Sequence, residues 1–242
     1  MLTIFGEIND ISPEEYKRVT EVTYLGFVHG TMAALHRMLP RNRGKIIQID
    51  SALAYRGIPL QSAYCGAKHA IEGFTESVRA ELLHNKSKIQ LTMVQLPAVN
   101  TPQFNWGRSK FSTSPQPVPP VFQPELMAKA VAWVAKHKRR EIAVTLNTSA
   151  IIFLNKLFPG LGDRYLARTG YSSQLSDRVL EPFEDDNLYK SVSGNFGAHG
   201  AFTKQAKTES LFLKLNTNRG KIVAGFGFLI SLLVLLDLNR QK

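Results

Sequence analysis

Residues 44–68 read GKIIQIDSALAYRGIPLQSAYCGAK, and this stretch decides the fold of the chain. The run 45–50 is apolar, rich in isoleucine and too short for a helix, so it predicts a buried strand. A loop containing Gly57 follows, and a helix is expected to begin near Gln61 or Ser62. A buried strand that leads through a loop into a helix is typical of α/β sheets, which bind ligands beyond the carboxyl ends of their strands.

Three polar side chains are predicted to meet where this strand gives way to the helix. Ser51 ends the strand, and Tyr64 and Lys68 are four residues apart on the helix, so that both lie on one face. A tyrosine ionises near pH ~10, and a nearby ammonium brings its pKa toward neutrality. A serine hydroxyl can hold a carbonyl or hydroxyl oxygen while a proton moves. The alternative is that Tyr64 is a core aromatic residue, Lys68 a solvated helix residue and Ser51 a strand cap.

The spacing of these residues resembles the catalytic signature of the short-chain dehydrogenase/reductase family. Ser51 precedes Tyr64 by thirteen positions, Lys68 follows four positions later, and small residues separate the tyrosine from the lysine. The resemblance covers about residues 11–144. It implies that the tyrosine transfers a proton, that the lysine lowers the tyrosine's pKa and holds the nicotinamide ribose, and that the serine orients the substrate oxygen. It also implies an NAD(P)-dependent oxidoreductase that reduces a small carbonyl compound or oxidises a secondary alcohol.

A long helix is predicted before this stretch. Ser12 is suited to an N-cap, Pro13 to the first helical position and Glu15 to closing a capping box. Apolar residues at helical spacing extend this helix over 12–39, with Thr23 expected toward the edge that carries the serine and the tyrosine. In the resembling family an asparagine in the place of Thr23 helps to hold a water of the proton relay. Thr23 is therefore either a shorter fourth catalytic member or a packing residue.

The elements that follow complete the predicted architecture. Helices are expected over 61–84 and 124–137, and strands over 88–96 and 141–144. The fold class is therefore α/β, an incomplete Rossmann-like parallel sheet of about three strands flanked by helices, with a mainly helical C-terminal extension. We expect a partial catalytic domain over 1–147, a helical and irregular extension over 148–215, and a C-terminal hydrophobic segment over 216–242. Within the extension, residues 172–210 are polar and are expected to be poorly packed.

The end of the strand 88–96 is the second place where the cofactor is expected. In the resembling family a Pro-Gly pair stands here, followed by a threonine that contacts the nicotinamide carboxamide. Thr101 matches that threonine, whereas Pro97-Ala98 departs from the pair and can be read simply as a strand ended by proline. Tyr64, Lys68, Pro97 and Thr101 are thus the expected cofactor-binding residues. The cofactor is NAD or NADP, with NADP favoured.

The proline-rich loop 103–123 is long enough to form a lid. In the resembling family this region covers the substrate. Its Phe104, Trp106 and Phe111 are expected either to line an apolar pocket or to tether the loop.

A dinucleotide site of this family needs a strand, a glycine-rich turn and a helix N-terminus to hold the pyrophosphate. No such unit precedes Ser12, so we expect a chain that begins after the family's fourth strand. The alternative to an enzyme is therefore a non-catalytic remnant that acts as a membrane-attached interaction module. Since the family's oligomer contacts use helices equivalent to 12–39 and 61–84, a homo-oligomer is also expected.

The composition limits the classes of partner that we expect the chain to bind. The formal net charge of +11 favours anionic surfaces, but no aromatic-interleaved basic patch predicts nucleic-acid binding. The single cysteine excludes an intrachain disulfide and suits a reducing compartment, the cytoplasm. The six histidines are scattered, and no metal site is assigned. Residues 222–238 are mostly apolar and predict either a short C-terminal membrane anchor or a buried helix, of which the anchor is favoured.

Overall fold

The computed structural model describes residues 1–180 and 185–225, together with the helical backbone as far as Arg240. The helices are α1 (Pro13–Thr20), α2 (Gly26–Met38), α3 (Ser62–His84), α4 (Pro124–Lys136), α5 (Leu146–Leu157), α6 (Pro159–Thr169) and α7 (Leu211–Arg240). The strands are β1 (Ile4–Phe5), β2 (Lys45–Ser51), β3 (Gln90–Leu96), β4 (Ala98–Val99), β5 (Arg108–Ser109), β6 (Thr113–Pro115), β7 (Val121–Phe122), β8 (Glu141–Ala143) and β9 (Leu175–Val179).

The central sheet is parallel and has the order β2-β3-β8. Strand β3 lies in the middle, paired with β2 from Lys45↔Gln90 to Ser51↔Leu96 and with β8 around Val94↔Ile142. Its residues are buried in succession rather than alternately, as expected for a strand covered on both faces. The predicted α/β fold with a parallel sheet flanked by helices is confirmed.

Alternate side chains of β2 face opposite sides of the sheet. Ile47 and Ile49 pack against the core cluster that α4 contributes. Gln48 points the other way, where its amide donates to Thr31 of α2 at 3.0 Å and accepts from Thr75 of α3. Since side chains alternate along a strand, Asp50 follows Gln48 onto the side of α2 and α3. This placement puts a carboxylate beside the first turns of α3.

The predicted helix 12–39 is observed as α1 and α2, joined without a break by a π-helical turn, Glu21–Leu25. Ser12 accepts from the Glu15 amide at 3.3 Å, and the Ser12 amide donates to the Glu15 carboxylate at 2.9 Å. The predicted capping box is therefore confirmed. Glu15 also binds Arg108 and Lys110, which ties this helix start to the lid region.

Two side chains of the predicted extension, Gln174 and Leu188, are packed more closely than the sequence predicted. Gln174 and Leu188 are both fully buried. The Gln174 amide donates to the Pro59 carbonyl at 2.8 Å and to the Gly170 carbonyl at 2.7 Å. Leu188 joins a cluster of apolar side chains from β1 and α1. The expectation of poor packing fails at these two positions, since a polar side chain can be buried once its hydrogen bonds are made, whereas most other described residues of 172–210 are exposed or half-buried.

The C-terminal helix begins against the central sheet. Leu213 is buried in the cluster under α4, and Ser210 donates to the Val144 carbonyl at 2.8 Å. Throughout the described part of the chain, no helix has the length and apolar character that a membrane crossing requires. This finding gives no support to the predicted anchor at 222–238. Its residues 226–238 lie outside those whose side chains are described.

Candidate active site

A cavity of about 1310 Å³ opens beyond the carboxyl ends of β2 and β3. Its lining includes Ser51 at the end of β2, Tyr64 and Lys68 on α3, and Pro97 and Thr101 after β3. The strand ends and the helix start thus bring five of the six predicted site residues to one cavity. Its volume exceeds the range of about 300–1,000 Å³ that is usual for small-molecule pockets.

Ser51 and Tyr64 lie on the wall of this cavity. The Ser51 hydroxyl accepts the Leu53 amide at 3.2 Å, which caps the short turn after β2. Tyr64 lies in the first turn of α3 with most of its surface buried. Burial raises the pKa of the Tyr64 phenol, the Asp50 carboxylate raises it further, and interaction with the Ser51 hydroxyl lowers it. The balance keeps the phenol protonated, which is the form that can donate a proton.

Lys68 points into the site rather than into solvent, with a side chain only 3% exposed. Its ammonium lies 3.3 Å from the Asp50 carboxylate and donates to the Ile49 carbonyl at 3.1 Å. It is 5.7 Å from the centroid of the Tyr64 ring. Burial lowers the pKa of Lys68, and Asp50 opposes that shift. The Lys68 ammonium near the tyrosine is therefore also paired with the Asp50 carboxylate.

Asp50 is the site residue that the sequence analysis missed. Its side chain is completely buried, and burial raises its pKa to about 6 although Lys68 acts to lower it. The available signal was an acidic residue near the end of an isoleucine-rich strand, directly before Ser51. A buried charge is costly unless it is paired, so such a residue calls for a partner on the facing helix.

Thr23 is not brought to the other predicted residues. It is buried, but its hydroxyl accepts the Leu2 amide at 2.9 Å and donates to the Leu2 carbonyl at 3.1 Å. Both hydrogen-bonding roles of the hydroxyl are thereby used, and Thr23 is not among the residues that line the cavity. This placement corrects the expectation that Thr23 faces the Ser51–Tyr64 edge, and it matches the packing alternative.

The aromatic residues of the lid region divide between the two roles proposed for them. Phe104 lines the cavity and packs edge-on against Phe202, with ring centroids 5.8 Å apart. Trp106 packs against Phe196 at 4.4 Å and lies outside the cavity lining, as does Phe111. Phe104 therefore belongs to the pocket, and Trp106 tethers the loop to residues near the end of the extension.

Arg56 fastens the loop after Ser51 to the helix pair α5–α6. One of its terminal nitrogens donates to Asn155 at 3.0 Å and to the Pro159 carbonyl at 3.2 Å. The other binds the Asp163 carboxylate at 2.7 Å. Asn155 in turn donates to the Tyr55 carbonyl at 2.7 Å. These bonds hold the helix pair as a fixed wall of the cavity.

The residues present fit the nicotinamide end of a dinucleotide better than its pyrophosphate. Tyr64, Lys68, Pro97 and Thr101 line the same cavity, and the Lys68 ammonium can donate to ribose hydroxyls. A glycine-rich turn that leads from a strand into a helix N-terminus does not occur within residues 1–180 or 185–240. The nicotinamide ribose is therefore the part of the cofactor that these residues could hold.

Comparison with known proteins finds similarity to oxidoreductases. The short chain dehydrogenase family model matches residues 2–110. An uncharacterized oxidoreductase of Bacillus subtilis, YxnA, is 31% identical over 195 residues, which cover 80% of this chain and 55% of that protein. Dehydrogenase/reductase SDR family member 7B of Bos taurus is 29% identical over 169 residues, 67% of this chain and 51% of that protein. Over most of its length the chain is thus similar to oxidoreductases.

A solved short-chain dehydrogenase from Streptomyces avermitilis has a similar fold, with a TM-score of 0.53, 20% identity, and coverage of 70% of this chain and 68% of that one. The chain spans about half the length of the curated relatives, 55% and 51% of the two named above. The family-model match begins at residue 2, so it does not support the expectation that strands before the first residue are missing. The comparisons also give no support to a membrane-attached module.

Proposed function

We propose that this chain acts as an NAD(P)-dependent oxidoreductase of the short-chain dehydrogenase/reductase family, which reduces a carbonyl compound or oxidises a secondary alcohol. The observation that carries the proposal is the shared cavity of Ser51, Tyr64 and Lys68, with the tyrosine and the lysine both buried. The match of residues 2–110 to the short chain dehydrogenase model supports it independently.

Tyr64 is the proton donor in the proposed reduction. NAD(P)H, when bound, supplies a hydride to the carbonyl carbon. Tyr64 gives its phenolic proton to the carbonyl oxygen, and the Ser51 hydroxyl holds that oxygen in place. The raised pKa of Tyr64 keeps the proton on the phenol until the oxygen becomes basic enough to take it. In the oxidation direction the tyrosine must first lose this proton.

Lys68 stabilises the phenolate that remains and binds the nicotinamide ribose. Its ammonium has three N–H donors, of which one is directed to the Ile49 carbonyl and another faces Asp50. The third is free to reach a ribose hydroxyl. The Asp50 carboxylate disfavours the Tyr64 phenolate, because both groups are negative, and it favours the charged form of Lys68. The Lys68 ammonium therefore interacts with two negative groups once the phenolate has formed.

The cofactor part of this proposal is tested with a fragment. Reduced nicotinamide mononucleotide carries the nicotinamide and its ribose without the adenosine half. We expect it to bind about as well as NADPH, with neither reaching micromolar affinity, because the binding residues serve the nicotinamide end. Lys68→Met should weaken fragment binding by about tenfold. The matched control is Lys136→Met, at an exposed position of α4, which should leave binding unchanged. Unchanged binding in Lys68→Met would refute the assignment.

We also propose that two copies associate through the helices within 12–39 and 61–84. The support is the resemblance to the family, whose oligomer contacts use these helices; Met32 and Leu83 are large apolar side chains on them that are 61% and 72% exposed. Light scattering during size-exclusion chromatography tests the proposal. Met32→Lys combined with Leu83→Lys should shift the protein to a monomer, and an unchanged mass would contradict it.

A further inference from the structure

The amino ends of the central strands carry a concentration of positive charge. Residues 41–45, 84–90 and 136–140 lead into β2, β3 and β8, and residues 214–221 lie at the beginning of α7. These four segments contain twelve lysines and arginines and neither aspartate nor glutamate. Because the three strands are parallel and paired, their amino ends meet at one edge of the sheet. We call the surface formed by the four segments the basic edge.

Hydrogen bonds join these segments to one another. The Asn42 side-chain oxygen accepts from the Lys88 amide at 2.9 Å, which ties the loop before β2 to the loop before β3. The Lys45 ammonium donates to the His137 carbonyl at 2.7 Å and so reaches the loop before β8. The positive charges of three loops are therefore brought together by contacts of the fold, although the loops are far apart in the sequence.

Helix α7 extends the basic edge. The Arg139 guanidinium donates to the Asn216 carbonyl at 3.2 Å, which fixes the helix beside the loop before β8. Burial lowers the pKa of Arg139, and the Arg219 guanidinium lowers it further because like charges repel. Arg219 and Lys221 are both exposed. The helix therefore brings further positive charge to this edge.

Few of these charges have an acidic partner. Arg140 pairs with Glu76 and Glu141, and Lys214 pairs with Glu209. Within residues 1–180 and 185–225, no ion pair is made by six exposed side chains of the edge, Arg41, Arg43, Lys86, Lys88, Lys136 and Lys138. Their mutual repulsion costs stability, and an anionic partner would relieve it. Since they are spread over three loops, they suit a polyanionic surface rather than a single small anion.

The surroundings of the edge favour lipid over nucleic acid as this partner. Single-stranded nucleic acids are bound by stacking their bases on aromatic side chains. The ring of Trp133, near the end of α4, is already stacked on His137 with centroids 4.1 Å apart, and the Arg139 guanidinium lies over it. By contrast, the sequence that follows Lys221 has no charged residue before Asp237. A group of basic residues beside an apolar segment is typical of binding to anionic lipids.

We propose that the basic edge binds the surface of a bilayer that contains anionic phospholipids, with its lysines and arginines against the headgroup phosphates. The cavity opens at the opposite, carboxyl ends of β2 and β3, and the length of β2 separates the two edges by about 20 Å. A docked protein therefore keeps its cavity open to ligands. The contact is superficial, so it requires no helix that spans the membrane, and it does not depend on the proposed function.

Co-sedimentation of the full chain with lipid vesicles tests the proposal. One set of vesicles is pure phosphatidylcholine, and the other contains phosphatidylserine as about one third of its lipid. The neutral vesicles report any binding that the apolar sequence after Lys221 provides alone. We expect at least about tenfold tighter binding to the anionic vesicles, and loss of that difference at about 1 M salt, where the Debye length falls to about 3 Å. Equal binding to the two kinds of vesicle, or binding to neither, would overturn the proposal.

A triple variant of the edge locates the binding surface. Lys86→Glu, Lys88→Glu and Lys138→Glu together reverse three exposed charges. We expect this variant to bind the anionic vesicles about 100-fold more weakly, since each basic side chain near such a surface contributes about a factor of five. Circular dichroism checks that the variant is folded. If it is not, the same three positions changed to glutamine should still weaken binding by about 100-fold, and unchanged binding of that variant would refute the proposal.

A second triple variant is the matched control, because it changes the net charge by the same amount. Lys156→Glu, Arg164→Glu and Arg168→Glu reverse three exposed charges on α5 and α6, which form a wall of the cavity. This variant should bind the anionic vesicles within about threefold of the wild type, because these charges lie beyond the Debye length from the docked surface. Equal losses in the two triple variants would show that net charge alone governs binding and would refute the basic edge. Tighter binding of the wild type to duplex DNA than to anionic vesicles in the same salt would overturn the choice of lipid.

Discussion

The ion pair between Asp50 and Lys68 makes a quantitative prediction. The two charged groups are 3.3 Å apart, and their side chains are 0% and 3% exposed. At an effective dielectric constant of about 20, unit charges at this separation attract by about 5 kcal/mol. Burial opposes both charges, so neither single substitution reports the attraction alone. A double-mutant cycle isolates it. We expect Asp50→Asn and Lys68→Met to show a coupling energy of about 3–5 kcal/mol in the free energy of unfolding.

The coupling should depend on pH. Burial raises the pKa of Asp50 to about 6. The carboxylate is therefore charged in the folded protein above this pH and protonated below it. Attraction to Lys68 should be measurable at about pH 8 and largely lost at about pH 5, where Asp50 is neutral.

Urea denaturation of the four proteins measures the cycle, and a second pair in the chain serves as its control. Arg140 and Glu76 lie closer, at 2.6 Å, but their side chains are 55% and 53% exposed. Their coupling should be at most about 1 kcal/mol because solvent screens exposed charges. The argument from burial would be refuted if the Asp50–Lys68 coupling did not exceed that of the control pair, or if it were unchanged at about pH 5.

Three further predictions concern residues around the site. The pKa of Glu15 is lowered to about 2, because Lys110, the Ser12 amide and Arg108 outweigh the opposing effect of burial. Its contribution to stability, about 3 kcal/mol, is present above the unfolded pKa and lost as pH falls toward about 2. Urea midpoints of Glu15→Gln and the wild type should therefore converge in acid and differ at neutral pH. Leu188→Ala should lower the free energy of unfolding by about 3 kcal/mol, whereas Val179→Ala, at a position 66% exposed, should change it by less than about 0.5 kcal/mol. Thr23→Val should cost about 1–2 kcal/mol of stability yet leave the rate of ketone reduction unchanged, because its hydroxyl serves the Leu2 backbone. A large loss of rate in a folded Thr23→Val protein would restore it as a catalytic residue.

The parts of the fold that the sequence predicted depend on local patterns. Ser12 and Glu15 are three residues apart, and the capping box follows from that spacing alone. Strand β2 and helix α3 were likewise recognisable because each carries a continuous apolar pattern with turn residues between them. The shared cavity of Ser51 and Tyr64 was expected because a strand end and the next helix start share one edge of the sheet.

The features that the sequence did not predict depend on contacts between distant residues. Gln174 bonds to Pro59 across 115 positions, and Thr23 bonds to Leu2 across 21. Nothing in the composition of either segment distinguishes a buried, satisfied amide or hydroxyl from an exposed one. The pairings β1–β5 and β4–β7 involve two residues of each strand, and β6 brings only three residues to its pairing with β9, too few to give an alternating pattern. Asp50 was missed for the same reason, because its partner lies on another element.

The most direct test of the central claim is the reduction of methyl nonyl ketone by reduced nicotinamide mononucleotide, followed through the loss of nicotinamide absorbance. The wild-type chain is expected to catalyse it, and Tyr64→Phe to lower the rate by about 100-fold or more, since the proton donor is removed. Tyr171→Phe changes a tyrosine that is 41% exposed and bonded to Glu7, and it should keep the wild-type rate. A Tyr64→Phe protein as active as the wild type would contradict the account, as would a wild-type rate no faster than the uncatalysed reaction.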